Sequence, residues 1–590
     1  MFTNFDMGQY VPLALLSLAL DYRFWGLEAA GYHLTSVLWH AAAAVVWFGF
    51  WRRLFERFGP KSSRWNVGLA AAFAALTFVL HPLRVESVAW VSERRDVVCG
   101  FFYAVALRLY LEHCLRTESR GRWLAGALAA YVLSLLAKAT SLTLPATLLI
   151  LDVYPLRRVS RKALLEKVPF AGLSLAAAVV TMIGAQRLGA LEDFAHEGLW
   201  ARLARASYGA LFYPGKTLWP THLLPIYELP TPFDPLSPRF LFWMSAAACA
   251  TALVWRIGRR VPAVGAAAAH YAVALLPMSG LIGNGAPHLT MDRFAYLPSL
   301  AFSGLFGAGL LKLLAVHRRR AWALAGAAAL LTAWGTLSWR RCRDWHDDLS
   351  LWRSAVASTA TPGPVALNNL AASEAVRGDL ASAESHSRRA LNLDPASVPA
   401  WGNLAAALDG LGKGDEAEAA LRQGLASNPA SSDLSARLSG LLEIKAAKLS
   451  RTGEARGARR LYEEALAADA TNSAACVNLG LILDAAGRRA EARRLFERAL
   501  KEPELRGTAH ADWGNSLLAE GKLDEAAAHY EEALRLDPGL APASVNLGNI
   551  LARRGRYGEA AARYRAALKK DPGSFEARVN LSAVERLLKR

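Results

Sequence analysis

As far as about residue 340 the chain is written in apolar blocks of about 15–21 residues divided by short charged loops, the block length an α-helix needs to cross a hydrocarbon core. No other feature limits the fold as tightly, because inside lipid only a helix or a closed barrel satisfies its own backbone. The loops give the direction. Basic residues gather in WRRLFERFGPKSSR (51–64), RTESRGR (116–122), PLRRVSRKALLEK (155–167), RIGRR (256–260) and HRRR (317–320), and such loops stay cytoplasmic. Ten spans, at 31–51, 66–80, 97–114, 122–137, 140–152, 168–185, 239–256, 262–278, 294–314 and 321–338, place all of these loops on one side. The outer side then receives 1–30, 81–96, 186–238, 279–293 and the C-terminal half. The apolar stretch 207–224 is interrupted by Pro214 and Pro220. Counting it as a span would move 256–260 outside, so it reads as re-entrant or interfacial.

This placement removes the meaning a formal net charge of +18 would otherwise carry. The charge lies in membrane-flanking loops, which argues for a lipid surface and against nucleic acid. The five cysteines, Cys99, Cys114, Cys249, Cys342 and Cys476, show neither disulfide nor zinc spacing, and no metal site stands out. Residues 1–10 lack a basic start and 11–27 are interrupted by Asp21 and Arg23, so a cleavable signal peptide is not expected.

From residue 364 the chain repeats. The triplets at 369–371, 403–405, 437–439, 478–480, 512–514, 546–548 and 580–582 are 34 residues apart except for one gap of 41. A glycine follows most of them by seven positions, then the pattern A-x3-[YF]-x2-A, as in Ala526, Tyr530 and Ala533. A helix–turn–helix unit of this period is the tetratricopeptide repeat. The longer gap adds seven residues, about two helical turns, and predicts a lengthened helix pair. The division is therefore a membrane domain (1–340), a junction (341–363), six repeats (364–573) and a capping helix with a basic face (574–590). Asn369, Asn403, Asn478, Asn546 and Asn580 recur at one position and would stack as a ladder. A carboxamide both donates and accepts, so the ladder can hold a peptide backbone; the other reading is bonding within the fold.

One outer stretch stands apart. HPLRVESVAWVSERRD (81–96) sets His81, Arg84, Glu86, Glu93, Arg94, Arg95 and Asp96 between two apolar spans. Charge at bilayer depth is costly, so the segment is either a wet loop or a grip on something polar at the membrane surface. His33 and His40 share a helix face and suit packing or hydrogen bonding. WHDD (345–348) suits a helix cap.

Together with LDYRFWGLEAAGYHLTSVLWH (20–40), LLPMSGLIGNGAPHLTMDRFAYLP (275–298) and WRRCRDWHDDLSLW (339–352), this stretch resembles the TMTC family, O-mannosyltransferase-like membrane proteins with a tetratricopeptide tail. The resemblance covers nearly the whole chain in motif order. It implies an all-α protein with a polytopic GT-C-like membrane domain and a tetratricopeptide solenoid. It further implies transfer of a sugar from a polyprenyl-phosphate donor to a protein hydroxyl at the outer surface. On that reading Glu86 and Asp96 are the candidate catalytic carboxylates. Arg84, Arg94, Arg95, Asp292, Arg293 and Tyr296 are candidate donor contacts, because guanidinium binds phosphate oxygens in pairs. Asp292–Arg293 has a second reading, as an internal ion pair.

Family members open with a further span and an acidic outer loop. This chain opens at MFTNFDMGQYVPLALLSLALDY, which resembles the later part of that loop, so an upstream reading frame supplying both is expected. The alternative function is a membrane-anchored tetratricopeptide scaffold for protein partners. A transporter is disfavoured by the lack of repeats among the spans. Abundant Ala and Arg suggest a bacterial inner-membrane protein with periplasmic repeats. Single cysteines introduced in 186–200 or 365–590 should react with an impermeant thiol reagent in intact spheroplasts, whereas those in 51–64 should stay unlabelled; labelling of 51–64 would invert or refute the topology.

Overall fold

The computed structural model describes residues 10–187, 198–230, 232–281, 288–502 and 506–589. The chain divides into two compact units, Met1–Leu370 and Ala371–Arg590. Among the described residues the fold is helical apart from two short antiparallel strands, β1 (Tyr227–Glu228) and β2 (His288–Thr290).

The helices of the first unit begin with α1 (Pro12–Trp25), α2 (Ala29–Phe58), α3 (Arg64–Val79), α4 (Val85–Ala89), α5 (Arg94–Leu115), α6 (Arg120–Ala137) and α7 (Leu144–Val153). They continue with α8 (Arg161–Leu165), α9 (Val168–Arg187), α10 (Leu199–Leu218), α11 (Pro238–Arg260), α12 (Pro262–Leu275), α13 (Leu300–Leu314) and α14 (Arg320–Asp344). Among the described residues, five helical stretches are long and apolar enough to cross a membrane: Ala29–Phe58, Val91–Leu115, Arg161–Arg187, Pro238–Arg260 and His317–Asp344. A sixth exists if Arg64–Val79 and Pro82–Ala89, bent by 53°, count as one span. The sequence reading has ten. At 122–137, 140–152, 262–278 and 294–314 the structure has helices that fall short in length or apolar character. In the last of these, residues 292–295 form a 3-10 turn and the α-helix starts only at Leu300.

The segment expected to break at Pro214 does not break there, and α10 runs through it, stopping before Pro220. Proline lacks the N–H that would bond the carbonyl four residues back. That carbonyl, of Ala210, instead accepts from the Tyr271 hydroxyl of α12 at 2.9 Å.

All five basic loops gather at one end of the first unit. Arg53 pairs with Glu112 at 3.3 Å. His113 and Arg158 both reach Glu166, at 3.2 and 2.6 Å. Asn66 donates to the Leu314 carbonyl at 3.4 Å, and Pro60, Tyr154, Arg260 and Lys312 line one groove. Helix direction then sends 81–96, Lys138 and 292–293 to the other end. There, Glu228 of β1 accepts from the N–H groups of Val365 and Ala366, at 2.8 and 2.9 Å, capping the helix Pro364–Val376. Burial raises the Glu228 carboxyl above its ordinary range.

In the second unit each repeat is an antiparallel helix pair, for example Val398–Gly410 with Gly414–Ser427 and Ala541–Arg553 with Tyr557–Lys570. The glycine after each first helix has positive φ, from 72° at Gly555 to 86° at Gly453, the left-handed conformation that ends a helix without a Cβ clash. The glycine closing the triplet has another purpose. A Cβ on Gly480, Gly514 or Gly548 would lie 2.7–2.8 Å from the ring of Phe496, Tyr530 or Tyr564 on the second helix. The seven extra residues all enter the first helix, Ser432–Arg451, which has 20 residues where its neighbours have 13. Its partner Ala455–Ala468 keeps 14, so one helix, not the pair, is lengthened. Phe575–Leu588 is a helix at the expected cap position.

Candidate functional site

Segment 81–96 is a run of short helical turns rather than a loop. Leu83 N–H donates to His81 Nδ1 at 3.2 Å, and Pro82 takes the first helical position, where no donor is lost. The turn Pro82–Arg84 leads into α4, and Val91–Glu93 leads into α5. This winding turns the ionisable groups inward: Arg84, Glu86, Glu93, Arg94 and Asp96 are all buried, so the wet-loop reading does not hold.

Buried charges persist only when paired and hydrogen-bonded. Glu93 is the hub. It accepts from Lys138 Nζ at 2.9 Å and Arg95 Nε at 3.1 Å, and lies 3.3 Å from Arg293 Nε. Lys138 also donates to Asp96 at 2.8 Å, and Asp96 accepts from Ser87 Oγ at 3.2 Å. Arg293 reaches Glu86 twice, through its main-chain N–H at 2.9 Å and through its guanidinium. Glu86, Glu93 and Asp96 thus alternate with Arg293, Arg95 and Lys138 in a network without formal excess charge. Burial works against the Lys138 ammonium, but the carboxylates of Asp96 and Glu93 hold its pKa above the ordinary lysine value. The cations form the rim: the side chains of Arg293 and Arg95 are 14% and 15% exposed, that of Glu86 1%. Beside them the Arg293 guanidinium lies 5.1 Å over the ring of Trp90, which is itself exposed.

Asp292 stands next to this network on a different set of partners. The Tyr227 hydroxyl of β1 donates to it at 2.9 Å and Arg341 lies 3.8 Å away. Burial pushes the Asp292 carboxyl up to about 6, against the pull of Arg341. Tyr227 is set opposite Thr290 by the β1–β2 pairing.

Three residues expected as donor contacts are placed otherwise. Arg94 is fully buried and turned toward α1 and α2, where it pairs with Asp21 and donates to the Tyr32 carbonyl at 2.6 Å and Ser36 Oγ at 3.2 Å. Its donors are committed to holding helices together. Arg84 is sandwiched between Phe78 and Tyr296, 5.4 and 5.5 Å from the ring centres. It lines a small cavity with room for about one water, and its charge meets Asp96 and Asp292 through space rather than through a hydrogen bond. Tyr296 is a wall: its hydroxyl bonds His40 Nδ1 at 2.8 Å and its ring lies against Gly100. His40 therefore has the hydrogen-bonding role expected of it, and Asp347 of WHDD caps the helix Asp348–Ala357 by accepting from Ser350 N–H at 2.7 Å.

Sequence reading missed Glu93, Asp21 and Arg341 as site residues, and Lys138 and Tyr227 entirely. For Lys138 a signal existed: it is a lone lysine in the turn between two apolar blocks, on the side the topology assigns to 81–96.

In the repeats, Asn369, Asn403, Asn478, Asn546 and Asn580 are each half-buried on a first helix. Asn478 donates to Glu443 at 3.0 Å, Asn546 to Asn515 at 2.8 Å and Asn580 to Asn549 at 2.8 Å. Tyr530 and Tyr564 hydroxyls donate to the same Asn515 and Asn549 oxygens, each at 2.7 Å. These three ladder amides thus bridge consecutive helix pairs.

Comparison with known proteins bears on both halves. Tetratricopeptide-repeat families match residues 377–439, 448–505, 477–541, 511–575 and 545–590. Protein O-mannosyl-transferase tmtc2 of Xenopus laevis is 32% identical over 164 residues, 27% of this chain and 18% of that protein. Protein O-mannosyl-transferase Tmtc1 of Drosophila melanogaster is 24% identical over 495 residues, 67% of this chain and 56% of that one, a reach that must include part of each half. The chain is TMTC-like, and its match spans about a fifth to about half of the length of these relatives. The solved structure of Pseudomonas aeruginosa PilF covers 37% of this chain and 97% of its own at 20% identity, with a TM-score of 0.30.

The network predicts the effect of deleting its central cation. Lys138→Met leaves Glu93 and Asp96 facing each other without their shared counter-ion, and should lower the stability of the purified protein by about 3–5 kcal/mol, read as a large fall in melting temperature. Adding Glu93→Gln should restore part of it. A melting curve unchanged by Lys138→Met would show that the two carboxylates do not share it.

Proposed function

We propose that the protein is a membrane glycosyltransferase that passes a sugar, mannose by analogy with its relatives, from a polyprenyl-phosphate donor to a protein hydroxyl. The observation that carries this is a buried carboxylate, Glu86, held by a cation, Arg293, that is itself reachable from the rim. Arg293 and Arg95 supply two planar guanidinium groups side by side on Glu93, the geometry that grips a phosphate bidentately. When Arg293 turns to the donor phosphate, Glu86 loses its partner and becomes free to take a proton. The acceptor oxygen then bonds the anomeric carbon, the carbon–oxygen bond to phosphate breaks with its electron pair leaving on the lipid phosphate, and the acceptor proton passes to Glu86. Asp96 acts through Lys138 and Glu93, keeping the rim cations in place. On this reading the reaction takes place at the face opposite the basic loops, outside the cytoplasm, and the repeat unit binds the acceptor or a protein partner.

Glu86→Gln keeps the shape and removes the base, and should lower sugar transfer to a peptide by about two orders of magnitude or more, with expression and membrane insertion near wild type. Full transfer by this variant would assign the network to structure and favour the scaffold function. For the repeats, replacing Asn478, Asn546 and Asn580 together by Ala should weaken peptide binding while helical content is retained. Unchanged affinity, or collapse of the unit, would make the ladder a purely internal brace.

A further inference from the structure

A groove of about 580 Å³ runs along α13 from Leu300 to Lys312, its cationic end lying away from Glu86, with a volume in the range that buries a small organic ligand. Its walls are mostly apolar, with Trp47, Trp51 and Phe55 of α2, Leu107 of α5, Leu151 of α7 and Leu300 of α13 among them. Its mouth is different. Arg260, at the end of α11, and Lys312, in the last turn of α13, both line it and both are exposed. Among the described residues no carboxylate is paired with either. An apolar channel ending in two unneutralised cations matches a molecule with a long hydrocarbon chain and an anionic head.

We infer that this groove holds one acyl chain of an anionic diacyl phospholipid, whose phosphate headgroup lies between Arg260 and Lys312. Both cations belong to the end where the basic loops gather, and basic pockets between membrane helices on that side attract the anionic headgroups of the adjacent leaflet. The same position separates this lipid from the sugar donor. Arg293 precedes α13 and Lys312 lies near its far end, so the 15 residues of that helix, about 22 Å at 1.5 Å per residue, stand between the two cation sites. A phosphate at Lys312 cannot be presented to Glu86. The groove packs against α2, α5 and α13, which carry His40, the start of the Glu93 network and the segment after Arg293. A bound chain would fill the space between helices that must hold these groups in register.

The test uses the full-length protein in detergent, with phosphatidylglycerol and phosphatidylcholine of identical acyl chains in competition and retained lipid counted by native mass spectrometry. Wild type should retain one phosphatidylglycerol with a preference of about tenfold or more, each basic residue near a headgroup contributing several-fold. Arg260→Gln with Lys312→Gln, and each change singly, should bring the preference toward parity, and Ala266→Phe, which narrows the groove, should reduce retention of both lipids. The wild-type competition alone decides whether a headgroup is read, so the proposal does not depend on any variant folding. Equal retention of the two lipids by wild type, an unchanged preference in the double variant, or recovery of a polyprenyl phosphate in place of the phospholipid would each overturn it.

Discussion

The end of the membrane domain opposite the basic loops depends on one buried carboxylate, Glu93, and the three cations that converge on it. Lys138 follows the end of α6, Arg95 lies in the first turn of α5 and Arg293 belongs to the segment before α13, so a single side chain ties together parts of the chain up to two hundred residues apart. A buried carboxylate without partners would be strongly destabilising. With three donors it becomes a specification, because shifting any of the three elements would strand a charge. Glu86 and Asp96 are attached to the same scheme through Arg293 and Lys138. The two residues read from sequence as catalytic are thus positioned by two that were not.

Periodicity and composition carry the long-range plan of this molecule. Apolar block length announces the helices, and the clustering of Arg and Lys predicts which loops share an end, since the loops of Arg53, Arg158 and Arg260 do lie at one end. The 34-residue repeat encodes the helix pairs down to the glycine beneath each ring of Phe496, Tyr530 and Tyr564. These features are legible because each rests on a local rule of helix geometry that repeats many times.

The pairing inside the site is not legible in that way. Nothing in the spelling of 81–96 distinguishes Arg94, which turns to Asp21, from Arg95, which turns to Glu93, since adjacent residues on a helix point about 100° apart and the partners come from distant segments. Nor does spacing say that Arg84 will be enclosed by Phe78 and Tyr296. The span count differs for a related reason. Helices such as α7, α12 and α13 are short for a bilayer and pack within the bundle, where neighbouring helices rather than length satisfy them.

The central claim is that sugar transfer takes place at the rim formed by Arg95, Arg293 and Trp90. The most direct test is photocrosslinking with a polyprenyl-phosphate sugar that carries a diazirine beside the phosphate, applied to the purified full-length protein and mapped by peptide mass spectrometry. Label concentrated in residues 90–95 and 291–293 is the predicted result. Label confined to the far end of the bundle, around Pro60, Arg260 and Lys312, would contradict the account.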